Sequence, residues 1–255
     1  MKFKLIKIIL IFLLSFGFNA FSQNKVLNFD TKASFYNNRG VEFFEKKEYE
    51  KAIESFKTAI DLNKNFEKAH FNLATVLWQL NQTSETISAL QKAVEINPKY
   101  VQAQAKLCDV FLALEQNENA GACYEKLLSF APKDVQTNSN YGVVLMHLKR
   151  FEEAAKIFEE NNKNFTPNAE NLNNLGIVLL ELNRYKKAVE VLRRAVNIEP
   201  NNEMMRYNLA IAQLAFKDKN SALEQYAFLK KTNENLAEKL FQTIFRGNIL
   251  NTKQQ

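Results

Sequence analysis

The sequence predicts an all-α fold of stacked helix hairpins, and three observations carry that prediction. Residues 174–202, NLGIVLLELNRYKKAVEVLRRAVNIEPNN, align without a gap on residues 72–100, NLATVLWQLNQTSETISALQKAVEINPKY, 102 residues earlier, three times a period of 34. Only 6 Gly and 4 Pro punctuate 255 residues, too little turn chemistry for a many-stranded β fold and enough for long helices with short connections. Apolar residues make up 46% of the chain and charged residues 24%, so disorder is not the default.

The first element is a targeting segment, residues 1–22. MKFKLIK carries three lysines, IILIFLLSFGF is an uncharged apolar run, and Ala20-Phe21-Ser22 offers small residues before a cut at Gln23. The run is short for a membrane span, which needs ~20 residues. The expectation is therefore an exported protein, periplasmic or secreted, with a retained N-terminal anchor as the alternative. Without Lys2, Lys4 and Lys7 the chain keeps 31 basic and 28 acidic side chains, a net charge of +3. No basic stripe tracks a phosphate backbone, so nucleic acid is not an expected partner.

Residues 23–32 form a short polar leader. From Ala33 the period sets six units, 33–66, 67–100, 101–134, 135–168, 169–202 and 203–236, with no insertion. Position 8 of each unit is small: Gly40, Ala74, Cys108, Gly142, Gly176 and Ala210. So is position 20: Ala52, Thr86, Ala120, Ala154, Ala188 and Ala222. Position 24 is large: Phe56, Leu90, Tyr124, Phe158, Leu192 and Tyr226. Position 11 is Phe43, Leu77, Phe111, Leu145, Leu179 and Gln213.

Positions 4, 7, 8 and 11 share one face of a first helix, and 20, 24 and 27 one face of a second. Small residues let the two backbones approach, and the large ones fill the space beside them. One hairpin cannot bury its apolar face alone, but stacked neighbours can. Pro98, Pro132 and Pro200, all at position 32, mark helix ends.

These residues resemble the tetratricopeptide repeat, with its small residue at 8, Ala at 20, aromatic at 24, Ala at 27 and Pro at 32. The resemblance covers residues 33–236; Leu127, Asn161 and Leu229 depart from it at position 27. It implies a right-handed superhelical solenoid whose concave face, lined by the first helices, holds an extended or helical peptide. Beyond the array, residues 237–255 read as a capping helix and a tail. Asn235 and Glu238 are spaced like a capping box, and Leu236, Leu240, Ile244 and Phe245 recur at helical spacing. One joint looks soft. Unit four has Asn162 and Asn164 where others have pairs such as Val196 and Ile198, so its second helix is expected to end early.

The resemblance places positions 2, 5, 6, 9, 12 and 13 on the concave side. Position 6 is Asn38, Asn72, Lys106, Asn140, Asn174 and Asn208. An amide offers a donor and an acceptor on one short stem, suited to both polar groups of a peptide backbone, although Asn is also the family's commonest residue there. Positions 9 and 12 are mostly apolar, including Phe44 and Trp78, and Phe71 adds an aromatic at position 5. Such a groove suits an apolar or amphipathic segment. The Lys and Arg of the clamp with which some relatives grip a chaperone's C-terminal carboxylate are missing.

Cys108 and Cys123 stand at positions 8 and 23 of unit three, at equal height on facing helices. Export permits a disulfide between them; the alternative is that Cys108 is simply the small residue the unit needs and Cys123 a small core neighbour. Catalytic residues, metal ligands and cofactors are not expected. His70 and His147 lack partners at metal-ligand spacing, and no glycine-rich phosphate loop or nucleophile elbow occurs.

The expected function is a non-catalytic exported adaptor or scaffold for a protein segment, with no small-molecule substrate and no membrane contact unless the leader is retained. A structural subunit that assembles with other copies or a fixed complex is the alternative.

Overall fold

In a computed structural model of the chain, residues 30–131 and 135–246 are described. The targeting segment, residues 23–29 of the leader, Pro132 and the tail 247–255 lie outside them. Among the described residues every regular element is a helix: α1 (30–45), α2 (Tyr49–Leu62), α3 (Glu67–Gln79), α4 (Thr83–Ile96), α5 (Val101–Ala113), α6 (Asn117–Phe130), α7 (Val135–His147), α8 (Phe151–Asn164), α9 (Ala169–Glu181), α10 (Tyr185–Ile198), α11 (Glu203–Ala215), α12 (Lys219–Thr232) and α13 (Glu234–Arg246). From α2 to α12 each even-numbered helix starts 34 residues after the previous one, so the period read from sequence is the period of the structure. No described helix is long and apolar enough to cross a membrane.

Each hairpin turns through one residue in the left-handed region, always at position 15: Lys47, Asn81, Glu115, Lys149, Asn183 and Lys217, with φ between 56° and 67°. None is glycine. The next residue donates its N–H back across the turn, as Glu48 does to Phe43 O at 2.9 Å and Arg150 to Leu145 O at 2.8 Å. The first helix is thereby closed by a Schellman motif. Pro98 and Pro200 follow the ends of α4 and α10 by two residues, where no N–H is needed for the helix.

The chain divides into two compact units, Met1–Val110 and Phe111–Gln255. In the first, α3 packs on α2 and α4. Gly40 lets α1 lie against Phe56, for an added Cβ would sit 2.6 Å from that ring. In the second, α7 to α12 pack as successive neighbours. Gly142 faces Phe158, and Gly176 faces Leu192. All six position-20 residues have zero exposure, so the small–large scheme read from sequence is the core. Arg150 ties α6, α7 and α8 together. It pairs bidentately with Glu153 (2.7 and 2.8 Å) and reaches Glu125 at 2.9 Å, which also accepts from Tyr141 Oη at 3.1 Å. Burial, with the Glu125 carboxylate second, pushes the Tyr141 phenol up to about 12.

Four sequence expectations need correction. First, α8 does not end early; it runs to Asn164 with the same 14 residues as α10. Asn161 and the Asn162 side-chain carbonyl join a polar network, while the buried Asn162 Nδ2 finds no partner among the described residues. Asn161, 2% exposed, accepts from Asn138 Nδ2 (3.1 Å) and donates to Ser139 Oγ (3.2 Å) and Val135 O (3.3 Å). Ser139 and Asn162 in turn bond Asn171 of α9.

Second, the C-terminal helix begins at Glu234, three residues before the phase of the repeat would start it. Asn233 alone links it to α12 and caps it, accepting from Leu236 N at 3.1 Å, so Asn235 has no capping role. Third, Phe245 is 51% exposed, while Ala237, Leu240 and Ile244 carry the packing of α13 on α11 and α12. Fourth, the leader is shorter than expected, since residues 30–32 already belong to α1.

Candidate functional site

The first helices present the residues expected to form a binding face. The ten apolar residues at positions 9 and 12 (Val41, Phe44 and Trp78 in the first unit; Leu112, Val143, Met146, Ile177, Leu180, Ile211 and Leu214 in the second) are all half-buried. Their neighbours at positions 8 and 11 close the hairpin core, so helical spacing leaves 9 and 12 on the flank of that core. Side chains held at the stem and accessible beyond it keep rigid apolar area available for a ligand.

In the first unit this face is aromatic. Trp78 on α3 is half-buried, and the Lys106 ammonium lies 5.8 Å from its ring centroid, within cation–π reach. Phe44 on α1 sits 5.9 Å from Tyr49 at a 48° tilt. Phe71 is placed differently from Phe44 and Trp78. Its ring lies 5.4 Å from Tyr100 and packs on Ala93, Val94 and Ala103, so it serves the joint between α4 and α5.

The asparagines at position 6 do not form a uniform row of free amides. Asn72 Nδ2 donates to Asn37 Oδ1 at 2.9 Å, and Asn208 Nδ2 to Asn173 Oδ1, also at 2.9 Å. Each of these bonds spans 35 residues, from position 5 of one unit to position 6 of the next. Asn140 accepts from Gln136 on its own helix at 2.9 Å. Asn38 is exposed and Asn174 half-buried, and neither makes a side-chain hydrogen bond among the described residues. The Asn-Asn pairs at 37–38 and 173–174 were the available signal for the 35-residue bonds. Met204, 53% exposed at position 2, was also missed; a methionine there reads as filler unless its exposure is known.

His70 is half-buried, and its Nε2 lies 3.1 Å from Lys64 O. Burial, opposed by that carbonyl, holds its pKa below 6.5, so it is neutral at pH 7. His147 is exposed. Both cysteines are disulfide-bonded. Among the described residues no three His, Cys, Asp or Glu side chains are grouped as metal ligands.

Family models described as "TPR repeat" match residues 40–81, and others described as "Tetratricopeptide repeat" match 67–100, 101–134, 133–201 and 173–230. No curated protein matches the chain. Among solved structures, a tetratricopeptide repeat protein from Parabacteroides merdae ATCC 43184 superposes with TM-score 0.70 at 14% identity, covering 86% of this chain and 87% of that one. Pseudomonas aeruginosa pilF gives 0.67 at 16%, covering 85% and 99%. YrrB, described as a TPR protein with an unusual peptide-binding site, gives 0.66 at 19%, covering 74% and 99%. At these identities the likeness is one of fold.

Proposed function

Since the chain belongs to the tetratricopeptide repeat family, we propose that it is a non-catalytic adaptor holding an apolar or amphipathic protein segment on the first-helix face of its hairpins. The observation that carries this reading is the set of ten half-buried apolar side chains at positions 9 and 12. A hairpin core needs positions 8 and 11; it does not need large apolar residues at ten of the twelve flank positions, where only Thr75 and Asp109 depart. The fold's use elsewhere supports it by analogy, YrrB being a peptide-binding member.

Trp78 is the main anchor. A buried aromatic dominates binding energy, and the Lys106 ammonium over its ring sets one edge of the seat. Asn38 and Asn174 supply the free amides for the bound backbone, whereas Asn72 and Asn208 hold neighbouring first helices together. The adaptor acts outside the cytoplasm, after export directed by residues 1–22.

The test is affinity capture from a native envelope extract with residues 23–255, in parallel with the Trp78→Ala chain. The reading expects one recurrent protein at stoichiometric yield with the parent and its loss with the variant. Recovery of the chain alone, or equal capture by both, contradicts it.

A further inference from the structure

A cavity of about 450 Å³ opens between α10, α11 and α12, away from the face described above. Its chemistry departs from the rest of the repeat. Position 11, buried and apolar or half-buried and aromatic in the other five units, is Gln213 here, 2% exposed. Positions 4 and 23 of the same unit are Arg206 and Gln225, and all three line the cavity. Two of them satisfy each other: Arg206 Nη1 donates to Gln225 Oε1 at 2.8 Å. Arg206 is further fixed by its Nε, which donates to Pro200 O at 2.6 Å, and by stacking 3.9 Å from the Phe228 ring centroid. Gln213 is left over. Its Oε1 is buried and accepts no hydrogen bond.

An unpaired buried amide is costly, and an apolar residue would avoid that cost as it does in the other units. The wall also carries Arg193, exposed and making no hydrogen bond or ion pair among the described residues. A buried acceptor calls for a donor. Arg193 acts on the Asp218 carboxylate by charge but makes no hydrogen bond among the described residues, and on a wall that also carries Glu224 its free N–H groups suit a planar carboxylate gripped by two of them.

We propose that this cavity binds a small molecule or chain end carrying an amide N–H next to a carboxylate, the N–H donating to Gln213 Oε1 and the carboxylate pairing with Arg193. That chemistry belongs both to N-acyl amino acids and to the C-terminal residue of a peptide. It runs against the sequence-based expectation of no small-molecule ligand. It is independent of the adaptor reading, since the α11 residues that line the cavity, Arg206, Leu209 and Gln213, are not those of the first-helix face, Ile211 and Leu214.

The test is titration of the full chain with N-acetylglycine, followed by the side-chain amide signals of Gln213 and Gln225 and by calorimetry. The site predicts saturable binding, absent with acetate, which lacks the donor, and with N-acetylglycinamide, which lacks the anion. Gln213→Leu, the residue of units two, four and five, keeps the fold and abolishes binding. Arg193→Gln, at an exposed position that cannot disturb the core, weakens it about tenfold or more. N-acetyl-tetraglycine separates the sources: equal affinity assigns the free acid, and tighter binding assigns a peptide end. A non-saturating response, an equal response to acetate, or unchanged binding by Gln213→Leu overturns the proposal.

Discussion

Replacing Gly176 by Ala pits helix propensity against packing, and the structure decides between them. Ala in a helix interior is favoured over Gly by about 1 kcal/mol. Here the new Cβ would lie 2.3 Å from Leu192 Cγ and 2.6 and 2.9 Å from its two methyls. Cγ is a branch point close to the backbone, and Leu192 is fully buried, so rotation cannot clear the overlap. Forcing the helices apart costs roughly 1–3 kcal/mol, the upper half of that range at so short a contact. The net expectation is a loss of about 1–2 kcal/mol.

Gly121, inside α6, is the control. Its added Cβ meets only the Leu148 Cδ1 methyl at 3.1 Å and Val144 at 3.7 Å. Leu148 is half-buried and its methyl can turn away, so propensity prevails and Gly121→Ala gains about 0.5–1 kcal/mol. Urea unfolding of both variants and the parent, with the slope checked for constancy, reads the two signs in one unit of the chain. Shifts of the same sign, or a stabilised Gly176→Ala, would refute the close-approach argument.

Other outcomes follow from the same geometry. Asn161→Ala installs the family's preferred residue yet should cost about 1–3 kcal/mol by stranding buried Asn138, and amide exchange at 161–165 in the parent should be no faster than at 195–199. Lys149→Gly removes a left-handed lysine (φ 58°); the relief of roughly 1–2 kcal/mol exceeds glycine's entropy cost and should leave a gain of about 0.5–1 kcal/mol by the same unfolding assay. His70, with its folded pKa held below the unfolded 6.5, is protonated more readily in the unfolded chain. Stability should therefore fall as pH drops through 6.5 toward the folded value, and a pH series of melting points should lose this slope in His70→Gln.

The hairpin core was fully legible in the sequence, because positions 8, 20 and 24 carry it in every unit and a strict period needs no tertiary information to find. What escaped was whatever depended on pairing between units. Asn162 and Asn164 looked like worn apolar positions, since nothing local shows that Asn161 meets Asn138 across 23 residues. Asn235 was read as the cap because the repeat phase was carried past the end of unit six at Leu236; the one-residue link at Asn233 breaks that phase and starts the helix at Glu234. The position-6 asparagines read as a ligand ladder until the 35-residue bonds showed that Asn72 and Asn208 were already engaged. Gln213 was visible as an exception at position 11, but its meaning required the cavity beside it.

The most direct test of the account is the affinity of a confirmed partner segment for the parent chain and for Trp78→Ala. Trp78 is the chain's single tryptophan, so its own emission reports whether the segment seats on this face before any mutation is made. The account predicts an emission change on binding and a loss of about 2 kcal/mol or more in the variant, roughly 30-fold in Kd. Unchanged emission together with equal affinity for both chains would contradict binding on the first-helix face.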